Sequence, residues 1–245
     1  MSLTRRNLRM NTVLLDLDGT VLPLDMDLFM TIYFTEMEKV FNDLPDHEML
    51  VKNIWAATDA AVRNTEKITN EEAFMNTYGQ LIVGDLEEHK KRFEAFYDEG
   101  FLKAEKSVIE NEWMQKSIKL LKVKGYNLVL ATNPIFPMKA IHHRISWAGF
   151  EPSDFSYISS FEKNHYCKPQ IKYYEEVLSA IGKKPEECIM VGNDVQEDMI
   201  VHKLGVKTYL ITEHILHRTD EPIQVDYKGN YEDFFRFVEE LPTLN

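Results

Sequence analysis

The residues best suited to chemistry are Asp16-Leu17-Asp18-Gly19-Thr20, which directly follow the apolar run that starts at Thr12. If the backbone stays extended for two residues past that run, the Asp16 and Asp18 side chains leave it on the same side. Two carboxylates ~4 Å apart repel by about 4 kcal/mol at an effective dielectric near 20. A divalent cation held by oxygen ligands is the natural counterweight. Gly19 lets the chain turn sharply after the pair. The plainer reading is a strand that ends in a solvated acidic turn, since turns also favour Asp and Gly.

Other titratable residues offer less. His142 and His143 are adjacent on a predicted helix and point about 100° apart, a poor arrangement for one metal. His214 and His217 fall in a predicted surface loop. His165 and Cys167 flank a lysine, but a reactive thiol needs a positive surrounding. Taken singly, Lys168 reads as a surface lysine, Thr132 as a loop or cap residue, and Asp194 with Asp198 as the acidic first turn of a helix.

The elements that must position these residues follow from hydrophobic patterning. Thr12–Asp16, Asn127–Ala131, Cys188–Gly192 and Val206–Ile211 are short, nearly continuous apolar runs. Such runs are expected of parallel strands covered by helices on both faces. Phe155–Ile158 and Ile223–Tyr227 are candidates for two further strands. Helical patterns separate them. Ser107–Lys124 sets Ile109, Trp113, Leu120 and Leu121 on one side and stops at Gly125. Gln170–Ile181 and Val195–Leu204 stop at Gly182 and Gly205, and Tyr231–Leu241 closes the chain. Alternating strand and helix predicts an α/β, doubly wound parallel sheet. Ligands of such sheets bind at the carboxyl ends of the strands, where Asp16 and Asp18 fall.

Residues 24–103 break this rhythm. They read as helices around Asp27–Asn42, Asp46–Asn64, Asn70–Ile82 and Leu86–Glu99, with no convincing buried strand. The expected organisation is a core of residues 1–23 and 104–245 with an all-helical insert of residues 24–103. Phe29, Ile32, Tyr33, Phe34, Met37 and Phe41 in the first of these helices read as packing residues, some of which could face a substrate.

The segment Asp16–Thr20 resembles the first motif of the haloacid dehalogenase (HAD) superfamily. The other family motifs follow in order. Thr132 in Leu130-Ala131-Thr132-Asn133-Pro134 matches the second. Lys168 in Cys167-Lys168-Pro169 matches the third. Val191-Gly192-Asn193-Asp194 with Asp198 matches the fourth. The helical insert resembles the family's C1 cap, which opens and closes over the site. This resemblance implies a Rossmann-like core and a phosphoryl-transfer enzyme. Asp16 would attack phosphorus, and Asp18 would act as acid and then base. Lys168 would bridge Asp16 and the phosphoryl oxygens, with Thr132 and Asn133 as donors to the phosphoryl group. Thr20 would orient Asp18. Mg²⁺ would be held by Asp16, by the Asp18 carbonyl and by Asp194, with Asp198 as a further ligand or a brace. The family commonly has Gly-Asp where this chain has Gly192-Asn193-Asp194, so the Asn193 oxygen is a possible ligand beside Asp194.

Asp18 favours phosphoryl chemistry over dehalogenation, because the dehalogenases typically lack that second aspartate. The expected function is therefore a Mg²⁺-dependent phosphomonoester hydrolase for a small phosphorylated metabolite. A phosphomutase and a non-catalytic phospholigand-binding protein are the alternatives.

Composition sets the partners. With 44% hydrophobic and 28% charged residues, the 245-residue chain can bury a core and stay in solution. A net charge of −12 repels nucleic acid and anionic lipid, so neither is expected as a partner. Two cysteines make no disulfide scaffold, no apolar run approaches the ~20 residues of a membrane span, and the run after MSLTRRNLRM breaks at Asp16. A cytoplasmic location is the expectation, as a monomer or homodimer.

Overall fold

The computed structural model describes residues 10–44 and 46–244. Met1–Arg9, to which the sequence assigns no fold role, lie outside them. Six parallel strands form one sheet in the order β3-β2-β1-β4-β5-β6. They are β1 (Thr12–Leu15), β2 (Asn127–Leu130), β3 (Tyr157–Ile158), β4 (Cys188–Gly192), β5 (Lys207–Ile211) and β6 (Tyr227–Gly229). β1 is central. Leu15 lies opposite Leu130 on one side and Val191 on the other.

Successive side chains of a strand face opposite sides of the sheet, and the core divides accordingly. Val13, Leu15, Leu128, Leu130, Ile189 and Val191 join one apolar cluster. Leu14, Val129, Ala131, Cys188 and Met190 join a second, with Tyr173, Tyr174 and Val177. The latter three lie on α7 (Ile171–Ile181), which ends at the left-handed Gly182. Burying a side chain such as Leu14 or Leu15 stabilises the fold by roughly 1.5–3 kcal/mol relative to exposure.

Between β1 and the rest of the sheet run four helices. They are α1 (Met26–Val40), α2 (His47–Arg63), α3 (Asn70–Leu81) and α4 (Leu86–Ala95). Asp25, Asp46, Thr69 and Asp85 cap their N-termini through side-chain acceptors. The helical backbone continues past α4 as a π-turn over Phe96–Gly100 and a 3₁₀ stretch over Phe101–Ser107. The wider turn buries Phe96 and Phe101 together, five residues apart.

Three expectations needed correction. The helix expected from Ser107 is α5 (Glu112–Val123), because the Asn111 side chain accepts the Met114 N–H and caps it there. Residues before it are extended: Val108 bridges to Leu24, and Ile109 N–H donates to the Pro23 carbonyl. Ile109 is therefore exposed, and the buried face is Met114, Ser117, Ile118 and Leu121. In place of a helix over Val195–Leu204 there are turns, then a 3₁₀ stretch over Met199–Leu204. Asp194 Oδ1 accepts the N–H groups of Gln196 and Glu197, which ties the backbone into turns. The last strand starts at Tyr227 rather than Ile223, where Asp226 Oδ2 accepts the Thr208 N–H and anchors it to β5. Two helices complete the fold: α6 (Met138–Trp147) and α8 (Tyr231–Glu240).

Candidate active site

The carboxyl ends of β1, β2 and β4 open into a cavity of about 730 Å³, whose lining includes Asp16, Asp18, Thr132, Asn133, Asn193, Asp194 and Asp198. Three segments distant in sequence thus share one wall, and Lys168 lies buried behind it against Asp16 and Asp198.

Asp16 continues β1 by one residue, its N–H donating to the Val191 carbonyl. The next residues fold back in a tight loop. Gly19 N–H donates to the Leu22 carbonyl and Leu22 N–H to the Leu17 carbonyl. Gly19 has φ 79°, and a Cβ there would meet Asn193 Nδ2 at 2.4 Å. Both the left-handed backbone and the close approach require glycine. On α8, the Tyr231 hydroxyl donates to the Gly19 carbonyl at 2.7 Å and holds the loop from beneath.

Lys168 is fully buried. Its ammonium donates to Asp16 Oδ1 at 2.8 Å and to Asp198 Oδ1 at 2.6 Å. Burial opposes its charge, but Asp16 and Asp198 outweigh that and hold the amine well above its ordinary value. Asp198 Oδ2 accepts the Asp194 N–H at 3.0 Å. The Asp198 carboxylate therefore acts as a brace between Lys168 and the backbone of the β4 loop. Burial pushes its pKa well up.

Asp18 has a different neighbour. Its Oδ2 accepts a hydrogen bond from Arg144 Nη1, while its buried Oδ1 has no partner among the described residues. Burial raises the Asp18 pKa above the ordinary carboxylate value, Arg144 lowers it, and the Asp16 charge raises it again. Arg144 lies on α6, fully buried, with its guanidinium 4.3 Å from the Phe136 ring centroid. The sequence reading missed it. The signal was an arginine on the same helical stripe as Ala140, Ile141 and Ala148, where an apolar residue is expected.

Thr20 does not sit as expected: its hydroxyl donates to Asn193 Oδ1 at 3.0 Å, not to Asp18. Asn193 Nδ2 donates to the His214 carbonyl at 2.7 Å. The amide is thus tied at both ends, and of the loop's two carboxylates Asp198 meets Lys168 while Asp194 meets Arg218. Asp194 Oδ2 accepts from the half-exposed Arg218 at 2.6 Å. Asn133 is also engaged: Oδ1 accepts the Lys168 N–H and Nδ2 donates to Glu197. The Thr132 carbonyl accepts from the hydroxyls of Ser159 and Tyr173, which fixes the backbone under its side chain.

Elsewhere, Cys167 is fully buried, and burial pushes its thiol pKa far up, so it is an inert core residue. His165 pairs with Glu176. On α1 and at its C-cap, Met37 and Phe41 are core residues, while Phe29, Tyr33 and Phe34 line the cavity.

The donors suit a hard cation. The Asp16 and Asp194 carboxylates and the Asp18 carbonyl are all oxygens, as Mg²⁺ prefers. Arg218 drawn onto Asp194 marks the wall as one that attracts positive charge. Among the described residues no three His, Cys, Asp or Glu side chains form a metal cluster by themselves. Backbone oxygen, water and phosphate would complete such a site, as is usual for Mg²⁺.

A family model for haloacid dehalogenase-like hydrolases matches residues 10–213. A glyceraldehyde 3-phosphate phosphatase of Methanothermobacter thermautotrophicus is 32% identical over 87 residues, a match spanning 33% of this chain and 34% of that protein. The chain thus matches about a third of that relative's length. A HAD phosphatase from Thermococcus onnurineus superposes with TM-score 0.61 and 15% identity, over 96% of this chain and 100% of that one. The HAD-hydrolase YfnB of Bacillus subtilis, bound to magnesium, superposes with TM-score 0.58 and 17% identity, over 94% and 99%. At these identities the likeness is one of fold. No helix among the described residues is long and apolar enough to cross a membrane.

Proposed function

Because the chain belongs to the haloacid dehalogenase-like hydrolases, we propose that it is a Mg²⁺-dependent phosphomonoester hydrolase acting on a small phosphorylated metabolite through an aspartyl-phosphate on Asp16. Residues 24–103 serve as its helical cap, over a core of residues 1–23 and 104–245. The observation that carries this reading is the unequal treatment of two carboxylates on one wall. Asp16 is paired with a buried ammonium. Asp18 has one oxygen held by Arg144, the other without a partner among the described residues, and a raised affinity for its proton. Environments that set neighbouring carboxyl groups apart assign nucleophile and acid.

The steps follow from these contacts. Lys168 holds Asp16 Oδ1, so the other oxygen attacks phosphorus. Asp18 gives its proton to the departing alkoxide. It then takes a proton from the water that attacks phosphorus, which breaks the phosphorus–Oδ bond and restores Asp16. Thr132 donates to a phosphoryl oxygen, and Lys168 and Arg218 balance its charge. Bound Mg²⁺ supplies the further positive charge that lets a carboxylate approach an anion. The phosphatase and the magnesium-bound hydrolase among the similar proteins support this chemistry.

The test is hydrolysis of p-nitrophenyl phosphate and small alkyl phosphates with Mg²⁺. Chelation should abolish turnover. Asp16→Asn should lower kcat by at least about 10³-fold with an unchanged circular dichroism spectrum. A variant within a few fold of the wild type would remove Asp16 from the reaction.

A further inference from the structure

The cavity is far larger than the phosphoryl site requires. At about 730 Å³ it falls within the roughly 300–1,000 Å³ of pockets that enclose drug-sized ligands. Beside the carboxylates and Thr132 its lining is rich in rings, among them Phe29, Tyr33, Phe34, Trp55, Phe74 and Phe136, the last stacked on the Arg144 that holds Asp18.

Several polar groups of the lining are engaged within the protein. The Tyr33 and Tyr97 hydroxyls bond to each other at 2.9 Å. Glu162 accepts the Met138 N–H at the start of α6, Lys139 pairs with Asp98, and Lys90 pairs with Glu87. Glu71 and Glu94 add acidity to the lining and no cation for a second anionic group. Meanwhile Trp55 on α2 is 51% exposed and Met26 45% exposed, and both line the cavity. Large apolar side chains left open to water beside a reactive wall gain most from an apolar occupant.

We propose that the substrate is a phosphomonoester whose alcohol carries a flat apolar ring, seated against the contacting rings of Phe34 and Trp55 while the phosphate meets Asp16. This rests on the phosphatase reading above and names its substrate class. In the reaction the phosphorus–alcohol oxygen bond breaks, Asp18 supplies the alcohol's proton, and water supplies the oxygen that leaves with inorganic phosphate.

The test compares 2-phenylethyl phosphate with ethyl phosphate. Their leaving alcohols have similar acidity, so the chemical step is matched and only the ring differs. The expected kcat/KM ratio is ~100-fold in favour of the ring-bearing ester, the scale on which apolar pockets discriminate. In Trp55→Ala that ratio should fall at least about threefold. As a readout independent of turnover, 2-phenylethanol should quench wild-type tryptophan fluorescence saturably, and the quenching should be lost in Trp55→Ala. Hydrolysis of both esters with kcat/KM values within about threefold of each other would overturn the ring preference and leave the phosphatase reading standing. Failure to hydrolyse either ester or p-nitrophenyl phosphate would overturn both.

Discussion

His89 shows how a single buried group ties this protein's stability to pH. The imidazole is 5% exposed and shares a 3.0 Å hydrogen bond with the Tyr78 hydroxyl. Burial, and then Arg92, lower its pKa below the ordinary 6.5. The folded protein therefore keeps the ring neutral where the unfolded chain already binds a proton. The contribution of neutral His89 is complete above pH 6.5 and is lost as pH falls below it. Burial pushes Glu71, Glu197 and Asp198 up, and these act in the opposite sense. The informative quantity is thus the difference between two proteins. His89→Gln should cost about 1 kcal/mol at neutral pH and lose less Tm than the wild type between pH 6.5 and 5. Parallel Tm–pH curves would show that His89 does not titrate in this way.

At the scale of elements, the end of β4 is the tightest point of the site. A Cβ on Gly192 would lie 2.1 Å from Asp198 Oδ2. Only glycine lets that carboxylate reach both the Asp194 N–H and Lys168. Gly192→Ala should displace Asp198, leave Lys168 with one carboxylate, and destabilise the fold by about 1–3 kcal/mol, measured by chemical denaturation. Wild-type stability together with wild-type turnover would mean that the brace is dispensable. The strands were legible in sequence because helices cover both faces of the sheet, and continuous apolar runs such as Cys188–Gly192 have no other simple reading. The acidic residues were legible because they follow such runs. Arg144 was not, because an arginine on a helix is ordinarily solvated. Nor were the ends of α5 and the turns at 194–198, where the carboxamide of Asn111 and the carboxylate of Asp194 override hydrophobic periodicity.

Across the whole molecule, one apolar cluster joins Phe29, Tyr33, Phe41 and Phe74 of the helical segment to Leu15, Leu130 and Ile189 of the sheet. Shared burial of this kind couples the two regions. Heating should therefore give one calorimetric transition with a calorimetric to van't Hoff enthalpy ratio of about 1. Two resolved transitions would mean that the helices fold on their own. Strand order carries a further consequence for synthesis. β1 is made first, yet its neighbours are residues 127–130 and 188–192, and its reactive loop is held by Tyr231 near the end of the chain. At ~5–20 residues per second the wait for β2 lasts on the order of ten seconds. Throughout that interval a nascent Thr-Val-Leu-Leu edge has no strand to pair with. That exposure is set by where the central strand falls in the message, not by how greasy the protein is.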